Sequence, residues 1–382
     1  EADGFNRQEV FNLFANPFTT TRPAISMDER EQFLLLDEGF EDEFLLTDLT
    51  ASVAFGPVEL TSVTSYINRD ILVSRDASAL TGSVSLVPFV SLGAPLALAN
   101  LPSNLVDTTD LSQWTQEVRL ASTSDGPLQW VVGAFYTDIN RFYRQRLPTP
   151  GYDAIVDSLP PFAGIPGGVS AAVANGFPQN SPYNSDIPYD IRQAAAFGEG
   201  TYDFGQFKVT AGARYYDFKE TRDFITGGIF SNVDTRIGDK TKSSGISPRL
   251  IGTWEPNRNL SVNLQAAKGF RLGGVNDALN LPLCDNGAPD GPDRQTYGNR
   301  PGWKDETLWN YEAGVKYQRS GITFNAAAFY TDIKDLQVTA DAGTCASRRA
   351  SAIVSSARTR VSSGWIHQRS SPSWSGHMFW RC

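Results

Sequence analysis

Hydrophobic alternation with period two runs through most of this chain, and it dictates strands. Between 308 and 317, Trp309, Tyr311, Ala313, Val315 and Tyr317 share one parity, while Asn310, Glu312, Gly314 and Lys316 share the other. At 260–266, Leu260, Val262, Leu264 and Ala266 oppose Ser261, Asn263 and Gln265. At 209–215, Val209, Ala211, Ala213 and Tyr215 oppose Thr210, Gly212 and Arg214, and Leu128 to Tyr136 repeats the pattern. Successive strand side chains point to opposite sides, so each segment has one apolar and one polar face. Ten strands are predicted, at 44–56, 58–76, 113–124, 127–147, 191–204, 206–222, 243–255, 259–272, 305–318 and 321–338. No helix of three turns is needed.

The connections narrow the choice. Tight-turn compositions fall at Gly56-Pro57, Asp125-Gly126-Pro127, near Gly205, at Glu255 to Arg258 and at Arg319-Ser320-Gly321. Long connections fall between them, at 77–112, 148–190, 223–242 and 273–304. Alternation alone fits a soluble secreted carbohydrate-binding β protein as well as a barrel. Long strands joined by alternating short and long connections favour a transmembrane barrel, which keeps its long loops on one side. No run of apolar residues is long enough for a membrane helix; the greasiest stretch, 85–102, is broken by Pro and Gly. Aromatic residues make up 12% of the chain although mean hydropathy is only −0.28. Aromatic rings at strand ends, where a barrel meets the membrane interface, account for that combination.

The chemistry of catalysis is scarce. The sequence has no HExxH, P-loop, GxSxG or paired CxxC motif. Its two histidines, His367 and His377, lie near the C-terminus, outside the alternating body, which therefore offers no imidazole base. An enzyme is not expected, nor is a cofactor. A net charge of −9 without a long basic run argues against nucleic acid as a partner. Asp277, Asp285, Asp290, Asp293 and Asp305 gather around 273–304, but their spacing matches no EF-hand. They read as a solvated acidic loop, and no metal site is assigned.

Several stretches resemble TonB-dependent outer-membrane receptors of the iron-complex type. They are WTQEVRLAS (114–122), GAFYTD (133–138), SPRLIGTWEPNRNLSVNLQAAKGFRLGG (247–274), LWNYEAGVKY (308–317) and AAFYTDIKDLQV (327–338). Together, in this order, they cover most of 44–338. The resemblance implies an all-β fold, a transmembrane antiparallel β-barrel. It is incomplete, with about ten strands of an expected 22 and no plug domain ahead of them. The implied division is a leading loop and partial barrel segment at 1–43, barrel at 44–342 and an atypical tail at 343–382. Alternation stops in that tail, which is rich in Ser and Arg; it fits a shifted reading frame or a wrongly joined gene end, with a natural basic tail as the alternative. An open-edged sheet or an artificially closed smaller barrel is expected.

The implied function is uptake of an iron-siderophore or similar bulky solute across the outer membrane, with a passive porin as the alternative. The implied partners are outer-membrane lipid, the solute and the TonB energy-transducing system reached through a plug. Glu117, Arg119, Arg214, Arg249, Glu312 and Lys316 share the polar parity and would face the lumen. Glu59 and Glu199 strain the pattern and are assigned to an interface. Family ligands touch the plug apex and outer loops. Tyr152, Phe162, Tyr183, Tyr189 and Trp303 are therefore the ligand candidates, although such rings equally suit packing loop on loop. Cys284 and Cys345 would share the oxidising outer side and form a candidate disulfide.

Overall fold

The computed structural model describes residues 34–89, 98, 101–278, 291, 295, 302–341, 351–356, 359–361 and 365–367. Ten long strands form one antiparallel meander. They are β1 (Gly39–Phe55), β2 (Val58–Asp76), β3 (Asn104–Ser122), β4 (Leu128–Arg146), β5 (Asn184–Asp203), β6 (Phe207–Gly227), β7 (Thr235–Asn257), β8 (Leu260–Arg271), β11 (Glu306–Arg319) and β12 (Ile322–Lys334). Each predicted strand has its counterpart, and the tight turns fall where Gly, Pro and Asn placed them. Between β8 and β11, β9 (Gly274–Val275) and β10 (Gly302–Trp303) pair with each other. Beyond a left-handed Asp335, β13 (Leu336–Asp341) leaves the sheet to pair with β14 (Ser351–Ser356). The predicted strand 321–338 is therefore two elements. β15 (Thr359–Val361) and β16 (Trp365–His367) pair with β12. Among the described residues β1 pairs only with β2, so the sheet has an open edge there.

Register carries one face across the whole sheet, because residues directly opposite in an antiparallel pair lie on the same side. Leu120, Val132, Gly198, Ala213 and Pro248 form one such line across β3 to β7. On this apolar face Val118, Val132, Val209, Ile246, Leu250 and Leu264 are all exposed. Tyr66, Trp114, Tyr136, Tyr215, Tyr311 and Tyr330 bound it toward the long loops. Tyr202, Phe207, Trp254 and Phe324 bound it toward the short turns. From Phe207 to Tyr215 is eight steps, about 27 Å along the strand at ~3.4 Å each. Tilted strands of that reach span an apolar band of about 25 Å. Water would charge a large penalty for so many bare apolar rings; hydrocarbon does not.

Five strand ends differ from the expectation: β1 begins at Gly39 rather than at 44, and four others lengthen as well. β3, β5, β6 and β7 extend toward the long loops, to Asn104, Asn184, Gly227 and Thr235. The segments 104–112, 184–190, 223–227 and 235–242 carry polar groups on both parities, so hydrophobic alternation does not mark them. The long connections shrink accordingly. They also contain helix: α1 (Ser78–Phe89), α2 (Tyr152–Asp157) and α3 (Gly168–Ala172). At twelve residues, α1 corrects the expectation that no three-turn helix occurs. Its sequence has no amphipathic stripe; burial of Thr81, Val84 and Ser85 holds it instead.

Asp76 starts that helix. Its carboxylate accepts from the Ser78 N–H at 2.8 Å, and from the N–H groups of Leu35 and Leu36. Burial pushes the acid up, but these hydrogen bonds outweigh it and hold it below the ordinary range. The stabilisation is thus complete above the usual carboxylate range and is lost as pH falls through the lowered value. Asp76→Asn should loosen α1 by about 1 kcal/mol and flatten its acid sensitivity. Amide exchange at 78–85 between pH 7 and pH 3 measures this; the same acid response in both proteins defeats it.

Candidate functional site

The long connections fold into a cap with its own core. Ala77, Val84, Leu98, Leu147, Tyr152, Val156, Leu159 and Phe230 are buried together there. Tyr152 is 0% exposed, packs edge-on against Phe230 at 5.8 Å, and shares a 3.1 Å hydrogen bond between its hydroxyl and Ser85 Oγ. Phe162 and Tyr183 pack against the same cluster. Burial pushes the Tyr183 hydroxyl up to about 12, with the nearby Asp277 charge adding to it. The packing role open to these rings in the sequence is thus the one they take. Tyr189 stands apart on β5, under the Arg141 guanidinium at 5.3 Å. Trp303, on β10, is partly buried and its indole N–H has no acceptor among the described residues.

Below the cap lies the polar face. The register places all six charged candidates on it. Glu117 is opposite Phe135, Arg119 opposite Gly133, Arg214 opposite Phe197 and Ser247, Arg249 opposite Gly212, Glu312 opposite Gln265, and Lys316 opposite Ser261 and Asn325. Arg119 pairs with Glu117 at 3.3 Å. Arg249 donates to Glu199, Nε to Oε2 at 3.0 Å. Glu199 is therefore a polar-face residue, as is Glu59, opposite Ala121 and 3.3 Å from the Thr61 hydroxyl. Phe197 and Glu199 share one parity, so the face of Glu199 was obscured in the sequence by an aromatic ring on the polar side. Arg214 lies over Phe135 at 5.0 Å and Phe197 at 5.9 Å. The Phe197 ring lies where Gly133 has no Cβ; a methyl there would come within 2.8 Å of the Val118 carbonyl as well. Glu312 and Lys316 have no ion-pair partner among the described residues.

Toward the long loops this face becomes dense in charge. Asp107, 6% exposed, pairs with Arg75 and accepts from Tyr143 Oη at 3.2 Å and Gln145 Nε2 at 2.8 Å. Arg141, Tyr189 and Arg222 stand directly opposite one another on β4, β5 and β6. Arg222 pairs with Asp277 at 3.0 Å. None of Arg75, Asp107, Arg141 or Arg222 was singled out from sequence. The available signal was parity: Arg141, Tyr143 and Gln145 continue the line of Gly133, Phe135 and Thr137 past the apolar band.

The remaining candidates fall outside this picture. Asp305 accepts from the Gly273 N–H at 2.7 Å and from Ser243. Asp285, Asp290, Asp293, Cys284 and Cys345 lie outside the described residues. No group of metal-ligating side chains occurs among the described residues.

The strand order, the two-faced sheet and the one-sided cap define an outer-membrane barrel of the receptor kind. The sequence profile described as "TonB dependent receptor-like, beta-barrel" matches residues 4–365, and the chain belongs to that family. That membership places it in the outer membrane. Among solved structures, it is similar to the ferric yersiniabactin uptake receptor FyuA from Yersinia pestis, with a TM-score of 0.53 at 15% identity. The match covers 78% of this chain and 37% of that one. The copper transporter OprC matches with the same TM-score at 12% identity, over 84% of this chain and 42% of that one. The chain thus spans about two fifths of the receptors it resembles. No curated protein sequence matches it.

Proposed function

We propose that the receptor containing this segment takes up an iron-siderophore or similar bulky solute across the outer membrane, without chemical change to it. The carrying observation is the asymmetry of the sheet. One face is bare and apolar between two aromatic borders, while the other is charged and roofed at one end by packed loops. In this reading the polar face is the lumen. Glu117, Arg119, Arg214, Arg249, Glu312 and Lys316 line a wall against which a plug docks, and most of them are answered by neighbours of the wall itself. The roofed end faces outward and meets the solute, with Tyr189 and Trp303 as the rings left for contact. Energy comes from an inner-membrane TonB system acting through the plug. Family membership and the similarity to a ferric-complex receptor support this reading.

The test is uptake of radiolabelled iron complexes by iron-starved cells with and without the intact gene. Uptake should fall at least tenfold in the deletion strain and should stop when a protonophore collapses the inner-membrane gradient. Unchanged uptake in the deletion strain defeats the reading. Flux of small sugars into liposomes bearing the purified receptor, with no energy source, would instead establish a porin.

A further inference from the structure

Ion pairing on this sheet divides by residue type. Arginines pair with acids on both faces, Arg249 with Glu199 on the polar side and Arg192 with Asp138 and Asp190 at 3.1 and 3.0 Å on the other. Among the described residues the only lysine in an ion pair is Lys208, at the short-turn end. Lys219, Lys240, Lys242, Lys268 and Lys334 have none, and the register sets all of them on the outward side, in line with the apolar face. Lys219 stands directly opposite Lys242, four residues beyond Tyr215 of the aromatic border. Like charges opposite one another weaken a sheet, so this pair calls for a counter-charge from outside. Lys268 is opposite Trp309, and Lys334 lies four residues beyond Tyr330. The acids among these lysines are Asp217, Asp223 and Asp332, and Asp223 accepts from the Gly238 N–H at 2.7 Å.

The same rim on β1 to β3 carries the opposite charge. Glu41, Glu43, Asp70 and Asp110 face outward there, with no lysine or arginine beside them on those strands, and Asp110 is answered by Arg144 of β4. Next to Lys268, in contrast, the apolar face is recessed. A hollow of about 650 Å³ opens across β7, β8, β11 and β12. Gly252, Leu264, Ala313 and Ala328 share one line of the register, and Leu250, Ala266, Tyr311 and Tyr330 share the next. The small members of these lines form the floor and the large ones the walls. A Cβ placed on Gly252 would meet nothing within 4 Å, so the open space begins at the backbone. Trp309, Tyr311 and Tyr330 run along the loop-side end, their rings 6.1 and 6.2 Å apart. Lys268 is two residues beyond Ala266 on the same face, roughly 7 Å along the strand.

An acyl chain fits such a recess, and phosphate suits lysines, each a compact point charge with three donors. Hollow and lysines follow one another along one face in the order in which a lipid presents tail and headgroup. The long loops of an outer-membrane barrel lie outside the cell, so that lipid belongs to the outer leaflet. We propose that β6 to β12 form a seat for a phosphorylated, multiply acylated glycolipid of that leaflet. One acyl chain fills the hollow, and the phosphates nearest the membrane meet Lys268 and Lys334. Lys219, Lys240 and Lys242 hold the anionic groups further out. The acidic rim of β1 to β3 repels the same headgroup, so this lipid is held on one side of the sheet only. The seat faces away from the polar wall and is independent of the solute carried.

The test uses the receptor carrying this segment, purified in detergent with EDTA so that no divalent cation bridges phosphate to an acid. Native mass spectrometry follows titration with two probes, a hexa-acylated disaccharide bisphosphate lipid and the same lipid without its phosphates. Wild type should bind the bisphosphate at least tenfold more tightly than the phosphate-free lipid. Lys268→Gln combined with Lys334→Gln should weaken the bisphosphate at least fivefold and change the phosphate-free lipid less than twofold. Ala313→Leu fills the hollow and should weaken both probes at least threefold. Lys208→Gln removes a lysine at the short-turn end and should leave both affinities within twofold of wild type. Equal affinity of wild type for the two probes overturns the proposal, and that comparison needs no variant to fold. Undiminished bisphosphate binding by the double lysine variant, or an equal loss of both probes, overturns it as well. So does an Ala313→Leu variant that binds both probes as wild type does, or a loss in Lys208→Gln as large as that in the double variant.

Discussion

Tyr152→Ala should open the loop cap while leaving the sheet intact. Tyr152 is the largest fully buried side chain among the described residues, and the surrounding cluster draws on three separate connections. Removing a buried aromatic ring typically costs about 3–5 kcal/mol, because the lost apolar contact and the remaining cavity both count. Among the described residues the cap has eight buried apolar side chains to share that loss. Tyr152→Phe removes only the hydroxyl's bond to Ser85, a loss of about 1 kcal/mol. Limited proteolysis should cut the alanine variant within 150–175, where wild type and the phenylalanine variant resist. Amides of β5 and β6 should stay protected in all three. Equal resistance of the alanine variant, or loss of protection in the strands, would contradict the separation of cap from sheet.

Leu264→Arg and Gln265→Arg should part sharply although they are adjacent. Leu264 is 59% exposed on the apolar face, opposite Gly252 and Ala313, midway between the aromatic borders. Gln265 points to the polar face, opposite Glu312. An arginine against lipid at midplane costs about 2–4 kcal/mol, whereas one beside Glu312 has water and an acid for company. Urea titration of the receptor folded into liposomes should therefore show the loss for Leu264→Arg alone. Equal stability of the two variants would mean that the apolar face does not meet lipid.

Where sequence reading succeeded, one physical contrast did the work. Period-two alternation is legible only where one side of the strand differs from the other. Between Val209 and Tyr215 the contrast is full, and the strand is plain from the residues. Between Thr235 and Lys242 both sides meet polar surroundings, and the same strand is invisible. α1 escaped for a related reason: Ser, Thr and Gly carry its buried side, so its burial depends on packing partners far along the chain. The wall charges illustrate the same limit. Parity placed Arg214 and Arg249 on the correct face, but their partners come from β4 and β5, which only register reveals. Arg222 was harder still, because its acid lies beyond three further strands.

The meander order has a consequence for how such a sheet comes into being. From β1 to β8 every strand pairs with its neighbour in sequence, and alternate junctions are turns of a few residues. Ring closure over so short a loop loses little chain entropy, so each hairpin can form locally. The free rim of one hairpin then templates the next, and assembly proceeds as a row growing at its end. In evolutionary terms the hairpin becomes the unit of gain and loss. The near-identical GAFYTDI at 133–139 and AAFYTDI at 327–333, each on the second strand of a hairpin, are what duplication of such a unit would leave behind.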